Sequence, residues 1–421
     1  MSAADPSSFV DAEAPLAEAD RIAALDVLRG FALLGIFIMN MPGFSHSLFA
    51  PPDAPTTPLD AWVVALRDLL FAGKFNLLFG FVFGIGFAIQ MARFGAVERA
   101  RAARLGVPAR AHRTAHVYAR RLAFLLVVAL VHAMLLWSGD VLVVYALLGF
   151  VMLALRRAGD RLLIALLIGC LLFPAVSEAL RPLLFSPATE TIAAFQFGQF
   201  QASNDAAFGR GSFLDAVRET ARVFAWNTGS AIGLYGYLAF AIQMATGILA
   251  GFVLGRRGWP RDAALRQRTA CLLWPALALA AAGNTIATLG AAAFASLLGG
   301  PLAMFATAFA RTIGRAALAV VYALVVIRLV GSGALPPWLD SLRQAGRMPL
   351  TNYLMQTLLA TFFFYGWGLG WWGRADATAE TALAILLFVA VQVPFSKAWL
   401  RRHASGPLEA LWRAFTYGRR A

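Results

Sequence analysis

The amino-acid sequence predicts an all-α fold: a polytopic integral membrane helix bundle of about ten transmembrane helices, with both termini cytoplasmic. Three observations lead there. Long apolar runs recur from one end of the chain to the other, separated by arginine-rich hinges. Run 122–137 follows Arg120 and Arg121, and run 141–155 is closed by Arg156 and Arg157. A bilayer core takes about twenty apolar residues per helix, and a water-soluble domain does not repeat that pattern throughout. Hydrophobic residues make up 60% of the chain and charged residues 14%, whereas a soluble domain carries roughly a quarter charged residues. The arginines, finally, crowd alternate loops, which is how a membrane protein sets its orientation.

The elements follow in order. Residues 1–20 carry Asp5, Asp11, Glu13, Glu18 and Asp20 and no basic residue. The segment lacks the positive start of a signal peptide and reads as a flexible tail. The bundle proper is expected over 21–403. Its first span, 25–41, opens with Asp26 and Arg29 and ends at Asn40. Residues 59–72 alternate apolar positions with Asp60, Arg67 and Asp68, as an interfacial helix does. Spans are then expected at 75–93, from Lys74 to Arg93, at 122–138 and 141–155 around the Gly139–Asp140 turn, and at 162–180. The longest segment on the opposite side of the membrane, 181–227, mixes charges with Phe195, Phe197 and Phe200 and is expected to cap the bundle. Further spans fall at 230–254, 269–290, 313–331, 350–371 and 379–398, followed by a basic cytoplasmic tail at 404–421. The Gly/Ala-rich stretch 291–310 is open between a re-entrant segment and part of a longer helix.

The loops orient the bundle. Arg93 to Arg121, Arg156 to Arg161, Arg256 to Arg268 and Arg401 to Arg413 fall on one side of a ten-span bundle. The opposite loops, with Asp53 in the first, are charge-poor or balanced. The formal net charge of +14 is therefore topological and implies no nucleic-acid partner. Cys170 and Cys271 lie in separate apolar runs, and no Cys/His cluster, P-loop, zincin motif or nucleophile elbow is present, so no metal is expected. Gly80 and Gly84 have the spacing of close helix packing.

Function has to be sought in the polar groups kept at membrane depth, which are costly there. Asn40, Lys74, His132 and Asp140 all fall near the outer ends of the first four spans, and Tyr145 lies on the fourth. His132 titrates near neutrality in isolation and is the candidate proton-transfer group, with Asp140 to orient it. The plainer alternative is a hydrogen bond between helices for His132 and an interfacial, snorkelling position for Lys74. His46 reads as a surface residue. At the inner ends, Asp26 and Arg29 share a helical face, and Asn352 and Gln356 follow Arg347. They read either as a mouth for an anionic ligand such as a phosphate or as a capped, ion-paired helix start with ordinary anchors.

Five segments in order resemble the YeiB family, built around the domain of unknown function 418. They are LDVLRGFALLGIFIMN (25–40), KFNLLFGFVFGIG (74–86), HAMLLWSGDVLVVYALLG (132–149), GRMPLTNYLMQT (346–357) and GPLEALWRAFTYG (406–418). The resemblance spans nearly the whole chain and implies a multi-pass protein of the bacterial inner membrane, with a family-type C-terminal domain over about 230–418. LDVLRGFA is also similar to the first-helix opening of transmembrane acyltransferases of the acyltransferase-3 type. That group carries a catalytic His where Asn40 stands here, so His132 would have to replace it. The likeness extends to the heparan-glucosaminide acetyltransferase type, which uses acetyl-CoA across a membrane.

The family is generally without assigned biochemistry, but the two polar ends together with the first-helix resemblance point to an acyltransferase with no tightly bound cofactor and with acyl-CoA, such as acetyl-CoA, as co-substrate. Donor contacts would come from Asp26, Arg29, Arg347, Asn352, Gln356 and Tyr145. His132 would act as base and Asp140 as its orienting group, with Asn40 and Lys74 as oxyanion donors. The acceptor would be an extracytoplasmic glycan, lipid or small molecule. The alternatives are a transporter of a small metabolite or ion with a His132–Asp140 proton relay, and a non-catalytic membrane scaffold or sensor whose polar groups only lock helices together. The chain shows no internal repeat of the kind many transporters carry.

Overall fold

The computed structural model describes residues 22–51, 55–108, 111–331 and 335–417. The acidic tail at 1–20 and Asp53 lie outside the described residues. Among the described residues the chain is helical without strands, as its apolar runs require where the lipid offers no partner for backbone groups.

Helix α1 (Ala23–Ser45) leaves the arginine-rich face of the bundle and ends on the opposite face. There α2 (Pro58–Leu70) starts on a Thr57 cap and exposes Trp62, Leu66 and Leu69. A turn at Gly73, with φ of 75°, leads into α3 (Lys74–Leu105). At about 1.5 Å per residue, its 32 residues exceed the roughly 30 Å apolar core, so its arginine-rich end projects beyond it. Helices α4 (Ala111–Leu135) and α5 (Leu142–Ala154) form a hairpin around Asp140, and α6 (Asp160–Leu184) returns to the opposite face. Two helices, α7 (Pro187–Ala207) and α8 (Phe213–Gly229), make up the segment expected to cap the bundle. Their loop is tied to it where Gly366 N–H donates to Phe208 O at 2.7 Å. Then come α9 (Ala231–Arg256), the short α10 (Ala263–Ala270), α11 (Leu273–Leu298) and α12 (Gly300–Gly331). Of the two readings open for the stretch 291–310, the structure bears out part of a longer helix, here twice over: it is the end of α11 and the start of α12, which break at Gly299. The C-terminal part comprises α13 (Pro337–Gly346), α14 (Pro349–Phe364), α15 (Ala377–Leu387), α16 (Val393–Leu400) and α17 (Pro407–Tyr417). The expected C-terminal tail thus includes a helix, α17, and Trp412 on it donates its indole N–H to Arg121 O at 2.7 Å.

Among the described residues, eight helical stretches are long and apolar enough to cross a membrane. The other two expected spans are α5 and α14, of 13 and 16 residues. These are shorter than a bilayer crossing. Both are enclosed by other helices: most of α5 from Leu142 to Ala146, and α14 at Leu350 to Tyr353, Gln356 and Thr357, are buried. A short helix at membrane depth is tolerated where protein surrounds its ends.

Close backbone contact holds the enclosing helices together. Helix association in lipid lacks a hydrophobic drive and depends on packing, so small residues sit at the contacts. The Gly80/Gly84 pair meets a matching series on α9. A Cβ at Gly84 would collide with Ile248 O, one at Gly247 with Leu77 O, and one at Gly251 with Phe81 O. Gly30 and Gly346 do the same for α1 and α13, against Leu342 O and Asp26 O. We expect Gly251→Ala and Gly346→Ala each to destabilise the protein by about 1–3 kcal/mol through this overpacking. Thermal unfolding in detergent checks this, with Gly198→Ala, where a Cβ meets nothing within 4 Å, as the control.

Candidate functional site

The site forms where the two short helices meet. α4 carries His132 in its last turn, the chain turns at Gly139–Asp140, and Asp140 starts α5 by accepting Val143 N–H at 2.8 Å. The positive end of α5 thus faces a buried carboxyl group, which favours negative charge there. His132 Nδ1 lies 2.8 Å from Asp140 Oδ1, and both side chains are fully buried. On the other edge of the ring, His132 Nε2 lies 2.9 Å from Thr357 Oγ1 on α14. With the Nδ1 proton on the Asp140 side, Nε2 is the basic nitrogen and accepts from the Thr357 hydroxyl. Asp140, His132 and Thr357 therefore form one hydrogen-bonded chain, the arrangement in which an acid orients a base that faces a hydroxyl. Tyr353, one turn before Thr357, accepts Val141 N–H at 3.2 Å and packs its ring 5.5 Å from that of His132.

A cavity of about 260 Å³ runs from the arginine-rich face towards this chain. Its lining follows α1 from Ile22 through Asp26, Arg29 and Leu33 to Ile36. Fourteen residues of helix is about 21 Å, most of the depth of the apolar core. The mouth carries Arg29, Arg93, Arg121, Arg261, Arg347 and Arg413 against two acids, Asp26 and Glu409. Six guanidinium groups facing two carboxyl groups make an electropositive opening suited to phosphate, which arginine binds in a bidentate fork. Asp26 pairs with Arg29 at 2.7 Å, so the i, i+3 pair expected from the sequence is formed. Deeper, the walls are Phe79, Phe83, Phe87 and Leu125, and the blind end is Val141, Leu142, Tyr145 and Tyr353. Tyr145 is anchored there by its hydroxyl, which donates to Asn76 O at 3.1 Å. Val141 and Tyr353 touch both the cavity and the Asp140–His132 pair, so they form the wall between the two.

The other expected site residues are placed elsewhere. Asn352 and Gln356 do not line the cavity. Asn352 Nδ2 donates to Ala345 O at 2.9 Å and Ser396 Oγ at 3.0 Å, and Gln356 Nε2 donates to Leu33 O and Gln392 Oε1, each at 3.2 Å. Their amides tie α14 to α1, α13 and the wide turn of helix at 388–392. Asn40 is half-buried on α1, and no hydrogen bond joins it to His132 or Asp140. Lys74 is buried in a different place, with its Nζ donating to Asp68 O at 2.7 Å. His46 is not a plain surface residue: its Nδ1 lies 3.2 Å from Glu380, which also binds Arg67 at 2.9 Å and accepts from Ser45. Sequence reasoning missed Thr357, Tyr353 and Glu409. Thr357 and Tyr353 lie inside the motif that holds Asn352 and Gln356, yet neither carries a charge to mark it.

The family model described as "Protein of unknown function (DUF418)" matches residues 254–419. A Bacillus subtilis protein, "Uncharacterized protein YxaH", is 30% identical over 94% of each chain. The chain belongs to the YeiB-type DUF418 family. Other relatives are "Uncharacterized protein YeiB" of Escherichia coli, 28% identical over 94% of this chain and 96% of its own, and the "Uncharacterized 39.9 kDa protein in amylase 3'region" of Bacillus acidopullulyticus, 26% identical over 96% of each. No solved structure matches.

Within this DUF418 chain, Glu409 on α17 lines the mouth of the cavity. Its Oε1 accepts Leu350 N–H at 2.7 Å and Thr351 N–H at 3.1 Å, and its Oε2 accepts the Thr351 hydroxyl at 2.6 Å. It thereby caps the start of α14, the helix that carries Thr357. Burial pushes its carboxyl above the ordinary range, against the opposing pull of those donors. The native state then holds the proton to higher pH than the unfolded chain does. The associated stability is full below the ordinary pKa of 4.5 and is lost as pH rises through the native value. Glu409→Gln imitates the protonated form. As pH is raised from 4.5 towards neutrality, thermal unfolding should show wild type losing stability relative to this variant, and parallel pH curves for the two would exclude the assignment.

Proposed function

We propose that this multi-pass DUF418 protein is an acyltransferase that takes an acyl group from cytoplasmic acyl-CoA and transfers it to a glycan, lipid or small-molecule acceptor from the other side of the membrane. The carrying observation is the one-sided cavity that links an arginine-rich mouth to the wall of a buried Asp140–His132–Thr357 chain. The nucleotide phosphates of the donor match the mouth at Arg29 and Arg347, and the acyl thioester matches the apolar depth at Phe79, Phe83 and Tyr145. The same proposal assigns the chain to the bacterial cytoplasmic membrane, with the mouth on the cytoplasmic side that the arginines mark.

In the transfer, the acceptor hydroxyl takes the place of the Thr357 hydroxyl at His132 Nε2. His132 removes its proton as the acceptor oxygen attacks the thioester carbonyl. Asp140 holds the ring by its Nδ1 proton and stabilises the imidazolium that results. When the carbon–sulfur bond breaks, the imidazolium returns the proton to the departing CoA thiolate. Tyr353 has to turn aside, because its ring and Val141 separate the cavity from His132. Its hydroxyl, and not Asn40 or Lys74, is assigned the role of oxyanion donor.

A second reading, transport of a small metabolite or ion with His132 and Asp140 as a proton relay, draws on the same cavity, which is open on one side and closed at Val141 and Tyr353. Two measurements separate them. Acetyl-CoA at about a hundred times its Kd is expected to stabilise the purified protein by about 2.7 kcal/mol, and Arg29→Ala should lose that shift. His132→Gln should keep the shift while lowering acyl transfer by about 100-fold or more. Absence of a shift with acetyl-CoA or longer acyl-CoAs, or full transfer by His132→Gln, would sink the acyltransferase reading.

A further inference from the structure

On the face opposite the arginine-rich mouth, three cations gather around one carboxylate. Lys74 begins α3 and is 1% exposed. Arg315 on α12 is half-buried beside it, and Arg311, one turn earlier, is exposed, as is Asp68 at the end of α2. The charges act on one another: Arg315 repels Lys74, Arg311 repels Arg315, and Asp68 attracts both Lys74 and Arg315. The turn between α2 and α3 brings them together. Gly73 has φ of 75°, and a Cβ built on it would lie 2.9 Å from Gln243 Nε2 and 3.0 Å from Arg315 Cδ. Glycine is needed there for the backbone conformation and for the space.

This arrangement is not balanced. Lys74 has three donors, and among the described residues the bond to Asp68 O is the one it makes. Arg315 and Arg311 take part in no hydrogen bond or ion pair among the described residues, whereas Arg67 on the same face is bound by Glu380. Three positive charges against one negative leave two positive charges. A buried cation without a counter-charge is costly in an apolar surround, and excess arginine on this side runs against the topology of the rest of the chain. Tyr237 on α9, six residues before Gln243, has a buried hydroxyl without a partner among the described residues and lies within electrostatic reach of Asp140. Gln243, which adjoins the cations, therefore stands on a helix that also carries Tyr237 towards Asp140.

We propose that Lys74, Arg311 and Arg315, with Gln243, form a binding site for a phosphate ester, reached from the face opposite the cavity mouth. A phosphate carries the charge that balances the cluster and accepts from a guanidinium fork and an ammonium together. The assignment of this phosphate to the acceptor rests on the acyltransferase reading; the binding itself does not. Two sources have the same chemistry: the headgroup of an anionic lipid in the outer leaflet, and a soluble phosphate ester.

Hydrogen exchange of the segment 68–80 separates them. Protein in phosphatidylcholine nanodiscs is titrated with glycerol 3-phosphate, and protein in nanodiscs of equal parts phosphatidylglycerol and phosphatidylcholine is measured without it. Slowed exchange in the first arm identifies a soluble ester, and slowed exchange in the second identifies the lipid. In whichever arm responds, Arg315→Gln should weaken the effect about tenfold, as loss of one charged hydrogen-bond partner does. The exposed Arg311→Gln gives the same reading without disturbing buried packing, and Arg29→Ala at the other mouth should leave it unchanged. Unchanged exchange in both arms, or protection that survives both Arg315→Gln and Arg311→Gln, overturns the site. Because no acyl-CoA is present, that failure leaves the acetyl-CoA stabilisation standing, and loss of the stabilisation leaves this site standing.

Discussion

Asp140 is a carboxyl group with no exposed side-chain surface in the middle of an apolar bundle, and much of the architecture satisfies it. A buried acid requires donors on every side. The chain supplies them by starting α5 on Asp140 and by turning the α4 end so that His132 meets it. His132 then needs a partner for its second nitrogen, which comes from Thr357 on α14. The two helices that complete the network, α5 and α14, are both shorter than a bilayer crossing. A helix that ends in the apolar layer needs protein around its ends, and the long helices enclose them.

That enclosure explains the glycines. The long helices must lie backbone to backbone to surround the short ones without voids. At the α3–α9 and α1–α13 contacts a Cβ would meet a carbonyl oxygen of the neighbouring helix. Rigid packing of this kind keeps the hydrogen-bonded chain in one arrangement while leaving a cavity along α1 and α3. The polar rungs from Asn352 and Gln356 to Ser396, Gln392 and Leu33 add directional bonds between helices that otherwise meet through apolar contact.

The two faces of the protein are charged for different reasons. Arginines on one face orient the chain in the bilayer, and six of them also line the cavity mouth. On the other face charges are few and mostly consumed within the fold, as Glu380 shows by binding Arg67, His46 and Ser45. The Lys74–Arg315 group departs from that economy, and this departure is what marks it as a place for a ligand.

Hydropathy and arginine placement determined the membrane class, the helical fold and the positions of most spans, because a segment's preference for lipid is a property of its own residues. The Asp26–Arg29 pair and the candidacy of Asp140 beside His132 were legible for the same reason: three and eight residues separate the partners. Tertiary structure decided the rest. Thr357 meets His132 across 225 residues of sequence, and the α3 glycines meet those of α9, which no local pattern specifies. Lys74 looked like a companion of His132 because both fall near span ends, but the turn at Gly73 directs it to Arg315 instead. The length of α14 likewise came from its neighbours: its apolar run continues past Phe364, yet the chain turns there to bind Phe208 and the cap. Depth in the membrane can be read along one dimension, whereas which helix faces face each other depends on close contacts between segments far apart in the chain.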